Sequence, residues 1–207
     1  MTIENLIRLN ELAENVHSSG KRVAILLEGR DGAGKSGTIR ELTRYLPPYT
    51  FRVVPSFMPT KKMMKTWLAS WRNLMPEKGE IVFYDRSYYS RALLQPVMGW
   101  CSQRQYQNFM NKVQDWELSQ DVNFIKLWLS IDEDKQRSLL ERRQTDPLRY
   151  WKFSPNDAKS VAQFDALTIK KESMFSLGGW RPINMSIRNK GRDQALEAVI
   201  YKIEKSL

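Results

Sequence analysis

The sequence predicts an α/β fold, a doubly wound sheet of about five mainly parallel strands flanked by helices. Three observations carry that prediction. Short apolar runs alternate with longer stretches of helical periodicity along the chain. The first such run leads directly into a glycine-rich loop, EGRDGAGKSGT at 28–38. No internal repeat, low-complexity tract or linker divides the 207 residues, so a single domain over 1–207 is expected.

Each element has its own signal. Apolar residues at 3, 6, 7, 12, 13 and 16 predict an opening amphipathic helix. Val23 to Leu27 is continuously apolar, as a strand buried on both faces should be. Gly34 to Leu46 reads as a helix stopped by Pro47 and Pro48. Phe51 to Val54 is a second strand, Thr60 to Met75 a helix ending at Pro76, and Ile81 to Tyr84 a third strand. Tyr106, Phe109, Met110, Val113 and Trp116 share one helical face. Val122 to Ile131 is a fourth strand, Asp132 to Arg143 a charged helix, and Pro155 to Phe175 mostly helical. Ile183 to Ile187 is a last short strand, and Ala195, Leu196, Val199, Ile200 and Ile203 line a closing helix.

Composition narrows the partners. The chain is 42% hydrophobic and 27% charged. No window of about 18 apolar residues exists, which argues against a membrane-spanning helix. The N-terminal MTIENLIRLNELAENV does not resemble a secretory signal. The single Cys101 excludes an internal disulfide and fits a reducing compartment, so the cytoplasm is expected. The single His17 gives little support to a histidine metal site or phosphohistidine chemistry. Thirty-three Lys and Arg against 23 Asp and Glu leave a net charge of +10. That surplus favours polyanions such as nucleic acid, an anionic membrane or phosphate-rich small molecules, and charge alone does not choose among them.

Three stretches carry chemistry. Gly29-Arg30-Asp31-Gly32-Ala33-Gly34-Lys35-Ser36 fits the phosphate-loop pattern G-x-x-x-x-G-K-[ST], with a strand before it and a helix starting inside it. Its glycines let backbone N–H groups approach phosphate oxygens, and the helix N-terminus adds partial positive charge. Gly29, Gly32, Ala33, Gly34, Lys35, Ser36 and Gly37 are therefore candidate phosphate-binding residues, with Ser36 also able to hold Mg²⁺. Asp31 is the odd residue, since a carboxylate inside an anion cradle repels phosphate. A metal between them, or a proton accepted by Asp31, resolves the conflict. The second stretch, IVFYDRSYYSRA at 81–92, ends an apolar strand in Asp85, placed to orient Mg²⁺. Arg86 and Arg91 follow with forks suited to phosphate. The third, at 138–157, adjoins Arg137 and holds Arg142, Arg143, Arg149 and Lys152 around Tyr150 and Trp151. It reads as a basic lid at about 137–157 or, more plainly, as a solvated charged helix and loop.

Taken together, EGRDGAGKSGT, DRSYYSRA and DPLRYWKFSPND closely resemble the corresponding segments of the family-two polyphosphate kinases. VMGWC at 97–101 and MPT at 58–60 fit at the expected places, and the resemblance runs from about Leu12 to Leu207. It implies a P-loop kinase-like fold with a helical lid, and Mg²⁺-dependent transfer of a terminal phosphate between inorganic polyphosphate and a nucleoside mono- or diphosphate. It implies that Asp31 and Asp85 are the essential carboxylates, that Lys35, Arg86 and Arg91 bind phosphates, and that Arg137, Arg142, Arg143 and Lys152 close over the chain. It also implies a homodimer or homotetramer. The sequence departs from the family pattern at three points. Ser90 stands where Asn is usual, Met58 where a basic residue is common, and Gln95 where an acidic residue is common. Ser90 and Gln95 fall in the expected acceptor region, so these changes bear on nucleotide preference. An ATP-dependent nucleoside monophosphate kinase of the thymidylate-kinase kind is the alternative. A P-loop nucleic-acid-binding protein ranks last, because no helix-turn-helix or sheet-aromatic signature is present.

Overall fold

Val23–Gly29 forms β1, and all seven of its residues are buried. The computed structural model describes residues 1–148, 150 and 156–207. Four further strands, β2 (Phe51–Val54), β3 (Ile81–Asp85), β4 (Asn123–Ser130) and β5 (Trp180–Asn184), join β1 in one sheet. The order is β2-β3-β1-β4-β5 and every pairing is parallel. Parallel strands need helical crossovers, which is why helices separate them along the chain. The register pairs Leu27 with Asp85 and Gly29 with Leu129. The ends of β1, β3 and β4 therefore gather at one edge of the sheet.

Alternation along β1 explains its complete burial. Val23, Ile25 and Leu27 pack on one face with Leu9, Leu12 and Val16 of α1 (Ile3–Ser19), Ile39 and Leu42 of α2 (Lys35–Thr43), and Leu196 and Val199 of α10 (Arg188–Glu204). Ala24 and Leu26 pack on the other face with Trp67, Trp71, Phe109, Val113 and Leu167. These last residues lie on α4 (Trp67–Arg72), α6 (Gln103–Leu118) and α9 (Phe164–Phe175). Both faces of a parallel sheet are thus covered, as its lack of a polar face requires. Among the described residues no helix is long and apolar enough to cross a membrane.

The observed elements depart from the sequence reading at three places. The last strand is Trp180–Asn184 rather than 183–187. Ser186 N donates to Asn184 Oδ1, closing a turn that ends the strand, and Ile187 becomes the exposed residue before α10. Pro182 is tolerated because β5 is an edge strand. The helix read over 60–75 is two short ones, α3 (Lys61–Lys65) and α4, parted at Thr66, whose hydroxyl donates to Lys62 O. The helix read over 155–175 is α8 (Asn156–Ala162) and α9, parted at Gln163; Pro155 lies outside the described residues. The charged helix is α7 (Glu133–Thr145), capped by Asp132, whose carboxylate accepts from Lys135 N at 2.7 Å. The remaining element, α5 (Leu94–Val97), follows a short 3₁₀ turn at Tyr88–Arg91.

Gly29 leaves no room for a Cβ: its φ is +148° and an added Cβ would collide with the carbonyl of Leu129. Gly29→Ala is therefore expected to cost about 3 kcal/mol. A domain of this size should then lose roughly 6–12 °C of thermal midpoint in calorimetry.

Candidate functional site

The loop from β1 to α2 is shaped by glycine and held from two sides. Gly32 and Gly34 take φ of +81° and +94°, a region that favours residues without Cβ. Lys35, the first residue of α2, folds back beneath the loop, where its ammonium donates to Gly29 O at 3.1 Å and Arg30 O at 3.0 Å. From the other side, Arg188 at the start of α10 donates to the carbonyls of Gly32 and Ala33. Lys35 is buried. Burial first, and Arg86 second, pull its pKa down to about 8, while Asp85, Asp31 and Glu28 pull upward.

The end of β3 faces this loop. Ser36 Oγ donates to Asp85 Oδ2 at 2.5 Å, bringing together two of the three expected metal ligands. Arg86 is left-handed at φ +66°, and its N–H donates to Leu27 O, so the chain turns sharply just past the sheet. That turn aims the guanidinium at Asp31 Oδ1, 2.6 Å away. Burial disfavours the Arg86 charge, but Asp31 and Glu28 outweigh it and its pKa rises. Burial likewise pushes the Asp31 carboxyl up, yet Arg86, Lys35 and a hydrogen bond from Ser160 win, leaving it well below the usual carboxylate range. Asp31, Lys35, Ser36, Asp85 and Arg86 are thus brought into one cluster.

Other contributors are not singled out by the sequence motifs, Arg188 among them. Glu28 is fully buried. Burial raises its pKa despite Arg86 and the Ser87 hydrogen bonds. Its Oε1 accepts from Ser87 N at 2.7 Å and Ser87 Oγ at 2.8 Å, and its Oε2 lies 4.0 Å from Arg86. The only charged residue in the VAILLEG strand was the available signal. Ser160 of α8 donates to Asp31 Oδ2, and Arg30 stacks 3.4 Å over the ring of Phe164. Neither contact has a local signal, because each joins residues more than 120 positions apart.

Beside the cluster opens a cavity of about 340 Å³. Asp31, Arg86, Ser90 and Gln95 line its polar side, and Phe57, Trp67, Trp71 and Trp100 its apolar side. Phe57 and Trp71 are stacked with centroids 5.6 Å apart. Met58, one of the departures from the family pattern, also lines the cavity. Gln95 is buried, and its Oε1 has no hydrogen-bond partner among the described residues. Arg91 sits behind this wall, its guanidinium 4.8 Å over Trp67 and donating to Met64 O at 3.0 Å. Further back, Lys126 donates to Tyr89 OH at 2.9 Å and pairs with Glu117, which accepts from Tyr88 OH at 2.7 Å. This satisfied buried network braces the turn that carries Ser90 and Arg91. Of the expected lid residues, Arg143 reaches the cavity, Arg137 pairs with Glu133 on the exposed face of α7, and Arg142 is exposed. Arg149, Trp151 and Lys152 lie outside the described residues.

Comparison with known proteins gives concordant results. A family model for Polyphosphate kinase 2 (PPK2) matches residues 2–183. A GDP-polyphosphate phosphotransferase of Mycolicibacterium smegmatis is 33% identical over 207 residues, covering 96% of this chain and 73% of the relative. An NDP-polyphosphate phosphotransferase 2 of Ruegeria pomeroyi is 39% identical over 161 residues, covering 76% of this chain and 47% of the relative. The chain thus spans about three quarters of one relative and about half of the other. The crystal structure of Polyphosphate Kinase 2 from Arthrobacter aurescens TC1 superposes with a TM-score of 0.87, covering 98% of this chain and 76% of that one. At 22% identity that likeness is one of fold.

The lowered pKa of Lys35 makes anion binding depend on pH. Above about 8 the free ammonium loses its proton, and a bound phosphate must restore it. Affinity for inorganic tripolyphosphate is expected to fall as pH rises from 7 to 9.5, measured by calorimetry. Lys35→Arg should flatten the profile, since guanidinium stays charged throughout.

Proposed function

The chain belongs to the polyphosphate kinase 2 family, and from that premise we propose that it transfers a terminal phosphate between inorganic polyphosphate and a nucleoside mono- or diphosphate. The observation that carries the reading is the junction of two sites. A phosphate loop holding Lys35 meets, through Asp31 and Arg86, a cavity walled by aromatic rings. A loop alone holds phosphate; a ring-walled cavity beside it suits a nucleobase, because stacking accepts any base. The names of the relatives, GDP- and NDP-polyphosphate phosphotransferase, support polyphosphate as donor and a nucleoside diphosphate as acceptor. They do not favour ATP-dependent nucleoside monophosphate kinase activity.

Phosphoryl transfer asks the protein for alignment and charge neutralisation. In the proposed reaction an oxygen of the acceptor phosphate attacks the terminal phosphorus of the chain. The P–O bond to the next phosphorus breaks, and the shortened chain keeps the electron pair. Lys35 and the loop N–H groups hold the donor end. Arg86, fixed by Asp31 and Glu28, lies where loop and cavity meet and neutralises the group in transit. Ser90 and Gln95 face the acceptor. Arg91, from behind Trp67, supports the wall and supplies positive potential rather than a direct contact. Arg137, Arg142, Arg143 and Lys152 are assigned to the polyphosphate chain, and Arg143 lines the cavity.

A divalent cation fits the Ser36–Asp85 pair, which offers a hydroxyl and a carboxylate oxygen beside the phosphate loop. Mg²⁺ usually keeps several waters and takes phosphate oxygens as further ligands, so few protein ligands suffice. Among the described residues no group of three or more acidic, histidine or cysteine side chains offers a fuller cage. Asp31 fits as a further carboxylate near the metal; Arg86, Lys35 and Ser160 favour its ionised form, which argues against a role as proton acceptor. Mg²⁺ in this place would withdraw charge from the phosphate oxygens. A cytoplasmic location and a homodimer or homotetramer belong to the same proposal. Ile3 and Ile7 remain exposed on α1, where a second copy would cover them.

Incubation with Mg²⁺, polyphosphate and ADP, GDP, AMP or GMP should yield the next higher phosphate of at least one acceptor, read by chromatography. No product from any of the four contradicts the proposal. Asp85→Asn should lower kcat by roughly 10²–10³-fold, the usual scale for catalytic electrostatics. Near-normal turnover would remove its role.

A further inference from the structure

Two successive loop residues reach beyond the loop to the helices that follow residues 149–155. Arg30 stacks on Phe164, donates to Phe164 O at 3.0 Å and also donates to Thr168 Oγ1. Asp31 Oδ2 accepts from Ser160 Oγ, a buried residue of α8. The other oxygen, Oδ1, accepts from Arg86. Arg86 in turn faces Glu28 at 4.0 Å, and Glu28 is held by the N–H and hydroxyl of Ser87. A continuous line of contacts, Ser87, Glu28, Arg86, Asp31 and Ser160, therefore runs from the end of β3 to α8.

The geometry in the middle of this line is unusual for its chemistry. A guanidinium beside a carboxylate favours a two-pronged pair with two parallel N–H···O bonds. Here one prong forms, Nη2 of Arg86 to Oδ1 of Asp31, while Nη1 faces Glu28 and Oδ2 is turned toward Ser160. The serine hydroxyl occupies the oxygen that the second prong would take. It also fixes rotation of the carboxylate and with it the direction of the remaining lone pairs.

We propose that Ser160 is a positioning residue: its hydroxyl keeps Asp31 out of a two-pronged pair with Arg86, and so ties the seat of α8 to the arrangement of the phosphate loop. Without it, carboxylate and guanidinium close on each other, and both turn away from the phosphate and metal they are meant to face. The neighbouring Arg30–Phe164 contact holds α9 to the same loop, so the helices after the lid segment and the loop move as one unit. The consequence for turnover rests on the function proposed above; the ordering of the loop does not.

The test uses the full chain with Ser160→Ala, and Asp31→Ala as its reciprocal. Hydrogen exchange is measured by mass spectrometry without substrate. Ser160→Ala should speed exchange several-fold at the loop amides 30–36 and at 156–162, and Asp31→Ala, which leaves the serine no acceptor, should do the same at 156–162. Adding Ser160→Ala to Asp31→Ala should bring no further change at 156–162, because the Ser160–Asp31 contact is already gone. In transfer assays Ser160→Ala should lower kcat by roughly 10–100-fold and raise the Mg²⁺ needed for half-maximal rate, the usual effect of losing a ligand's orienting partner. KM for the nucleotide should hold. Wild-type exchange at 30–36 in Ser160→Ala, or additive effects at 156–162 in the double variant, overturns the proposal. A wild-type protein that transfers no phosphate strikes the functional reading instead, while the exchange measurements still decide the role of Ser160.

Discussion

Two cations, Lys35 and Arg86, are kept in a buried corner at the end of the sheet, and three carboxylates make that possible. Burial disfavours both positive charges. Asp31, Asp85 and Glu28 oppose that penalty, and the balance differs for the two. Arg86 stays firmly charged, whereas Lys35 settles at about 8. A buried charge left without its partner is strongly destabilising. The carboxylates are therefore as necessary to the anion site as the cations, although they repel the anion it binds. This explains Asp31, which looked misplaced in a phosphate cradle. Its first task is to hold Arg86 in place.

The sheet supplies the positions. β1 and β3 are paired in register, so Leu27 lies opposite Asp85, and the cluster starts with the residues that follow them, Glu28 in β1 and Arg86 just past the end of β3. Only the parallel arrangement brings both strand ends to the same edge. The sharp turn at Arg86 then swings its side chain across the mouth of β1 toward Asp31. Behind the turn, the Glu117–Lys126 pair and Tyr88 and Tyr89 form a rigid support. The aromatic wall of the cavity is built on that support, through Trp67 Nε1 donating to Tyr88 O and through Trp71 against Tyr88.

Much of this was legible in the sequence, for identifiable reasons. The phosphate loop is a local motif, so spacing alone places Gly29 through Ser36, and an apolar run ending in Asp85 places the opposing carboxylate. Local patterns do not reveal which side of a wall a side chain takes. Arg86 and Arg91 look equivalent in DRSYYSR, yet the first enters the site and the second packs beneath Trp67. Nor do they reveal contacts made by distant segments. Ser160 and Arg188 meet the loop across 129 and 155 positions of chain. Alternation of Ile183, Met185 and Ile187 with polar residues favours a strand at 183–187, whereas the residues that pair with β4 are Trp180 to Asn184, Pro182 among them.

The carboxylates hold a buried, partly destabilised cation at Lys35. The most direct test is the titration of the Lys35 side chain itself, followed by NMR of ¹³Cε-labelled lysine in the substrate-free protein. The midpoint is expected near 8, well below the usual 10.5 for lysine, with a further downward shift in Asp85→Asn, where an attractive charge is lost. A midpoint at the usual lysine value, unmoved by Asp85→Asn, would contradict this expectation.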